Sequence, residues 1–333
     1  MLQTWAQSAH GGGQALDQRL GSLLQRSKPG GRLPLPPSPP TIRHMTLQAA
    51  LRWTLLIVSL LVVGPLCSAS MAATRDADGG PAVSMLVGGS TPHSLIAGLL
   101  VFVGALVVGW IGARFFAVSI GFSCAGFVLA WGAWRTGTLD QVLRRSHTAG
   151  EMTSLAAEAA IALALSALVA WVCWHASKAH RPHGNPGKER QSFLSHFATA
   201  REAKDAPKAA IASVLLSAVA GAAVAYVIAA TPLKGQAVFA AFVGAIAAGV
   251  AAQFGVQSMN ATSTPVAVVL GLLLPAVIAP LVARGDPALA AHTYANTVLP
   301  LAKVMPMDWA AGAMLGAPIG LGWSGAMMDV RMV

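Results

Sequence analysis

The chain has 333 residues, of which 55% are hydrophobic and only 10% charged, with a mean hydropathy of +0.62. A soluble domain carries roughly 25% charged residues, so the composition excludes an ordinary water-soluble globular fold and points to a surface that faces lipid. The formal charge of +10 does not call for nucleic acid, because Lys and Arg gather in a few loops between apolar runs, as the positive-inside rule requires, and no basic patch with interleaved aromatics stands in a soluble segment.

Residues 1–44 differ from the rest. They contain Gly11-Gly12-Gly13 and Pro34-Leu35-Pro36-Pro37-Ser38-Pro39-Pro40, and proline at that density cannot continue a helix. They read as a disordered Pro/Gly-rich tail, or as untranslated sequence if the start is Met45; a PxxP docking site is the lesser alternative. Residues 45–73 have the three parts of a signal peptide: Arg52, an apolar core from Trp53 to Leu66, and the small residues Cys67-Ser68-Ala69-Ser70-Met71-Ala72-Ala73 suited to cleavage after Ala72 or Ala73. Uncut, the same stretch is a signal anchor.

The first three transmembrane helices are expected within 94–175. Leu95–Trp110 and Phe115–Trp134 are separated only by Ile111-Gly112-Ala113-Arg114, so they should be antiparallel neighbours, and 152–175 is interrupted only by Glu158. The loop 176–208 carries seven basic residues, Lys178, Arg181, Lys188, Arg190, Arg201, Lys204 and Lys208. Within it Phe193, Leu194 and Phe197 fit a short amphipathic helix lying on an anionic leaflet.

Three or four further spans are expected in 209–333. Ala209–Ala230 is uncharged, and Gly235 to Ala283 is a run of 49 residues without a charge, enough to cross a bilayer twice at ~20 residues per crossing. The polar hinge Gln257-Ser258-Met259-Asn260-Ala261-Thr262-Ser263-Thr264-Pro265 divides that run and ends on a helix-starting proline. Residues 285–303 are mixed and suit the interface. Trp309 to Met328 is long enough to span, although its glycines and Pro318 also allow a re-entrant segment.

With 176–208 in the cytosol and the spans alternating, 15 of the 22 basic residues fall on the cytosolic side. Trp53, Trp110, Trp131, Trp134, Trp171, Trp174 and Trp309 all lie near span ends, where an indole keeps its N–H wet.

Candidate functional residues are few. Gln253, Gln257 and Asn260, spaced four and three apart, share one face if the helix continues through them, and polar hinges beside broken helices bind solutes in transporters. Packing at a helix end is the plainer explanation of the same amides. Glu158 is the one acid well inside a span, a proton or cation site by default, or an acid within reach of the interface and of Arg144 or Arg145. Gly312, Gly316 and Gly320 form one small-residue face; Ser213, Ser217, Gly221, Ala225 and Ala229 form another, and Ala240, Gly244, Ala248 and Ala252 a third.

His175, His180, His183 and His196 lack the partners of a metal set, and Cys67, Cys124 and Cys173 read as buried hydrophobes. Gly322-Trp323-Ser324-Gly325 matches the GxSG string of rhomboid intramembrane proteases, but that family places its histidine on a later helix and none follows Ser324; the match is rejected.

The expectation is therefore an all-α, polytopic transmembrane bundle of about six or seven spans behind a signal peptide or anchor, in the plasma (inner) membrane. No catalytic, cofactor or metal residues are assigned. The leading reading is a structural or accessory subunit that packs against another copy or another membrane protein; the alternative is a small-solute or ion permease or channel using the hinge and Glu158.

Overall fold

The computed structural model describes residues 42–72, 84–87, 91–146, 150–178, 198–200 and 205–329. The chain divides into two units, Met1–Leu47 and Gln48–Val333, and only the opening of the first helix is described in the former. The glycine and proline stretches of the tail, Ala73, His180, His183, His196, and the expected amphipathic helix around Phe193, Leu194 and Phe197 lie outside the described residues.

Among the described residues the fold is all-α with one very short two-stranded ladder. In chain order the elements are α1 (Ile42–Val58), a π-turn (Ser59–Val63), α2 (Gly64–Ala72), α3 (Thr91–Phe115), α4 (Val118–Arg135), α5 (Leu139–Ser146) and α6 (Gly150–Lys178). Then come β1 (Ala198–Ala200), α7 (Ala206–Ile228), α8 (Lys234–Gln257), β2 (Ala261–Ser263), α9 (Pro265–Gly271), α10 (Leu273–Arg284), α11 (Leu289–Tyr294), a 3-10 turn (Pro300–Lys303) and α12 (Pro306–Asp329).

Among the described residues, six helical stretches are long and apolar enough to cross a membrane: Leu47–Met71, Pro92–Phe115, Gly150–Ser177, Ala206–Ile228, Lys234–Gln257 and Pro265–Arg284. Two more long helices, α4 and α12, pack among them. The last is one continuous helix of 24 residues, about 36 Å long at 1.5 Å per residue, despite Pro318.

Two boundaries differ from the sequence reading. Ile111-Gly112-Ala113-Arg114, expected as the turn between two spans, is helical, and the reversal is made by Phe116 and Ala117. Gly112 permits this, since a Cβ there would lie 2.9 Å from the Cα of Gly121 on α4. The second difference is at the polar hinge. Its residues Ala261–Ser263 form β2, which pairs antiparallel with β1 in the register Ala198↔Ser263, Thr199↔Thr262 and Ala200↔Ala261. Asn260 turns the chain with φ 49°. Thr264 caps α9 by accepting from the Ala267 N–H at 3.4 Å, and Pro265 opens the helix. The span over 266–283, which Pro275 and Pro280 are expected to bend, is broken at Leu272. Pro275 has no N–H to give to the Gly271 carbonyl, and the helix restarts at Leu273 so that this proline falls in a first turn, where no donor is needed.

The π-turn has a similar cause. Its ladder runs from N–H to the carbonyl five residues back, and the Gly64 N–H reaches Ser59 O in that way. The next donor in the series would be Pro65, which has none. The Leu60 carbonyl is instead satisfied by the Trp131 indole N–H at 2.6 Å.

The seams of α8 with α7 and with α12 are built from small residues. Of the three faces expected from spacing, those of α7 and α8 meet each other within the chain, while the glycine face of α12 meets a different side of α8, at Ala241, Ala245 and Gly249. Gly221 of α7 and Gly244 of α8 stand opposite each other, a Cβ on Gly244 falling 2.8 Å from Gly221 O, and Ser217 Oγ donates to Ala248 O at 3.5 Å. On its other side α8 receives Gly312, Gly316 and Gly320 of α12; a Cβ at Gly316 would be 2.8 Å from Ala245 Cβ and 3.0 Å from Ile246 N. Some large side chains point outward, with Leu61, Ile211, Val219, Val227 and Phe239 exposed, while Phe122, Leu129, Leu163 and Trp309 are fully buried. The small-residue seams suit lipid solvation, where close backbone approach rather than water exclusion holds helices together.

Gly316→Leu drives its new side chain into the backbone of α8 and should destabilise the bundle by about 2 kcal/mol. Gly322→Leu, on the same helix but with nothing within 4 Å of its Cβ, should not. Thermal unfolding of both variants in detergent checks the difference, and equal stability would remove α12–α8 contact as the basis of the core.

Candidate functional site

Polar side chains collect at the two ends of the bundle, and each end is tied together differently. One end holds Glu158, Lys234, Asp308 and Lys303. Glu158 lies two turns into α6 and is fully buried. Its Oε2 accepts the Leu86 N–H at 2.9 Å, with Ser84 and the Met85 N–H also beside the carboxylate. The segment is preformed for this: Ser84 N–H donates to Val87 O and the Val87 N–H returns to Ser84 Oγ, both at 3.0 Å. The Glu158 Oε1 atom is buried with no hydrogen-bond partner among the described residues. Arg144 does not serve Glu158; it pairs with Asp140 one turn back at 2.9 Å and lies 6.0 Å from the centre of the Tyr294 ring.

Lys234 opens α8, and its Nζ lies 2.6 Å from Asp308 Oδ1. The same ammonium donates to Thr136 Oγ1 at 2.8 Å and to Gly137 O at 3.2 Å, and its charge also reaches Glu158. Asp308 is in the first turn of α12, where a carboxylate is favoured by the helix dipole. Its Oδ2 accepts the Met305 N–H at 3.1 Å, the reach-back half of a capping box. Lys303 donates to Ala230 O at 2.8 Å and Asn296 O at 3.0 Å, joining the α7–α8 connection to the 295–305 segment. Burial pushes its ammonium below the usual lysine value. On the exposed rim, Asp286 Oδ2 sits 2.5 Å from His292 Nδ1, and that hydrogen bond, with one from the Ala288 N–H, holds Asp286 below the usual carboxylate range.

The opposite end is closed by β1 and β2. Gln253 is buried, and its Oε1 accepts the Ser263 N–H at 2.9 Å. Ser263 Oγ in turn lies 2.5 Å from Ser213 Oγ on α7. Gln257 and Asn260 are exposed. The amide triplet therefore does not converge: α8 stops at Gln257, and Asn260 sits beyond it in a left-handed turn. Gln253 and Glu158 lie at opposite ends of the bundle.

Other expectations resolve individually. His175 Nδ1 is 3.0 Å from Trp171 O, and its ring rests on the Trp171 indole. No group of three or more His, Cys, Asp or Glu is placed to hold a metal among the described residues. Ser324 Oγ donates to Leu321 O at 2.8 Å. Trp309, expected at the interface, is a correction: it is fully buried, and its indole N–H finds no partner among the described residues. Trp53, Trp110, Trp134 and Trp171 do stay exposed.

The Lys234–Asp308 pair has no local signature. The two residues are 74 positions apart, at the margins of separate apolar runs, and in the sequence each looks like a span boundary. Compared with protein-family models, curated proteins and solved structures, the chain matches none.

Truncating one partner of a buried ion pair strands the other, at about 3 kcal/mol or more. Lys234→Met and Asp308→Leu should each lower the detergent melting midpoint, and the double variant should lose less than the two single losses added together. Strict additivity would show that the two side chains do not act as a pair.

Proposed function

We propose that this multi-pass α-helical membrane protein is a non-catalytic structural or accessory subunit that works through helix packing, in a plasma (inner) membrane, with 176–208 on the cytosolic side. One observation carries the reading: the polar side chains inside the described bundle mostly serve as ties within the chain. Lys234 holds Asp308, Lys303 holds two backbone carbonyls, Gln253 holds Ser263, and Glu158 holds the 84–87 segment. Such a molecule has a fixed shape, a rigid apolar exterior, and partners that dock on that exterior or on its loops. The small-residue faces are consumed internally, so a partner or a second copy meets larger side chains such as Leu61, Val219 and Phe239.

A permease or channel is the second reading, favoured by the buried Oε1 of Glu158, unpartnered among the described residues. Affinity purification from mild detergent and reconstitution into liposomes separate the two. A stable copurifying membrane protein, retained with Glu158→Gln, with no solute flux from the purified chain, is the expected result. Flux that disappears in Glu158→Gln overturns it in favour of transport.

Residues 45–73 are inferred to remain as a signal anchor. Support comes from the Trp131 bond to Leu60 O, from Gly104, whose missing Cβ leaves room for Cys67 Sγ, and from the full burial of Met71. An epitope placed directly after Met45 should stay on the membrane-bound chain; a mature chain beginning after Ala73 and lacking the tag would show cleavage instead.

A further inference from the structure

Two buried carboxyl groups share one ammonium at the end of the bundle where α8 begins. Glu158 and Asp308 are both fully buried, and Lys234 is the cation whose charge reaches each of them. We propose that the Glu158 carboxyl is a proton-binding site, carrying one proton on Oε1 as a neutral acid. The inference rests on the bundle lying in a membrane and is independent of whether the chain moves a solute.

Lys234 has nothing left to give Glu158. An ammonium has three protons, and Asp308 Oδ1 at 2.6 Å, Thr136 Oγ1 at 2.8 Å and Gly137 O at 3.2 Å take them. The elements packed against α6 are α3, α4, α5, α9, α10 and α12, and none brings a second cation to Glu158 among the described residues. At this end α3 offers His93 and α10 offers Arg284, both exposed, while α9 carries no charge. Arg144 of α5 is spent on Asp140. Arg135 of α4 has a buried Nε without a partner among the described residues, so it does not serve the carboxyl. The charged group of α12 here is Asp308 itself, and Glu151, two turns back on α6, is another acid.

The hydrogen bonds around Glu158 are one-sided. Oε2 accepts the Leu86 N–H at 2.9 Å, and Ser84 and the Met85 N–H lie beside the carboxyl. Oε1 is buried and bare among the described residues. An ionised carboxylate spreads its charge over both oxygens and accepts on each. A neutral acid has one carbonyl oxygen that accepts and one hydroxyl. Burying a lone hydroxyl costs far less than burying an unpaired charge. Oε2 therefore fits the carbonyl and Oε1 the hydroxyl. The proton comes from water, and its uptake leaves one carboxylate for one ammonium. A metal cation fits the same place poorly. Hard cations take about six oxygen ligands, whereas Met85 and Leu86 present N–H groups. Ionisable side chains inside membrane helices commonly hold protons in this way.

The test is infrared spectroscopy of the full-length protein in phosphatidylcholine vesicles at neutral pH. The chain has four glutamates, Glu151, Glu158, Glu189 and Glu202, so glutamate with heavy carbon in its side-chain carboxyl marks few groups. The expected result is the carbonyl band of one protonated carboxyl per chain. It should move on isotope labelling, vanish in Glu158→Gln and remain in Glu151→Gln. The isotope shift is read on the wild type, so absence of a labelled acid band overturns the proposal whether or not the variants fold. A labelled band that survives Glu158→Gln belongs to another glutamate and also overturns it. So does a band present in potassium chloride but lost in equal sodium chloride, which would make a metal ion the occupant. None of these readings needs a copurifying partner or a flux, so the proton site and the proposed role of the molecule fail separately.

Discussion

The close approach of α8 to α7 on one side and to α12 on the other is the contact on which the rest of the bundle rests. In lipid there is no gain from removing apolar surface from water, so two helices stay together only if their atoms fit more closely to each other than to acyl chains. Gly221 and Gly244 achieve that on the α7 side, and Gly312, Gly316 and Gly320 on the α12 side, with alanines between them. Dispersion contacts of this kind are individually ~0.1–0.2 kcal/mol and fall off within an ångström. One added methyl group at the wrong glycine is therefore felt along the whole seam. Bulky residues such as Phe122, Leu129, Leu163 and Trp309 fill the core beside these seams, and others such as Leu61, Val219 and Phe239 lie on the exterior.

Small-residue packing leaves the helix ends unattended, and backbone polar groups at a membrane boundary have to be matched by something. The chain matches them with its own side chains. Glu158 receives the Leu86 N–H, Asp308 the Met305 N–H, Lys303 supplies the Ala230 and Asn296 carbonyls, and Gln253 receives Ser263. Proline-created gaps are handled alike, with Trp131 donating to the carbonyl that Pro65 leaves open. Connections therefore pack tightly against helix ends, and Val87, Leu139, Leu143, Leu289 and Val298 share one apolar cluster there with Ala279 and Ala283 of α10.

Much of this architecture was legible in the sequence because its strongest signals are one-dimensional. A run without charge and a glycine or alanine every fourth residue each have a single physical reading as a lipid-solvated helix with a packing face. The faces centred on Gly221, Gly244 and Gly316 were found that way. Pro265 as a helix start was equally local. What escaped depends on chain segments far apart. β1 pairs with β2 across the whole of α7 and α8, and three residues of Ala and Thr or Ser give no strand pattern. The amide triplet assumed that α8 runs three residues further than it does, and Asn260 reverses the chain instead. Trp309 was placed at the interface from its position at a span end, but Met305 and Met307 beside it are also buried, so that helix starts below the surface.

The same logic explains why a charged pair persists in an apolar bundle. Two well-packed aliphatic residues would often stabilise such a site as well as Lys234 and Asp308 do. The seam between α8 and α12, however, repeats every four residues. Sliding α12 along α8 by one turn brings Gly316 where Gly312 was and Gly320 where Gly316 was, and an Ala or Gly on α8 again lies opposite. Packing alone barely distinguishes those registers. A slip of one turn is about 5.4 Å, and it carries Asp308 away from an ammonium that now stands 2.6 Å off, leaving two unpaired charges in a low-dielectric setting. The pair thus fixes what the glycines leave degenerate, much as a single buried polar residue fixes register in a coiled coil.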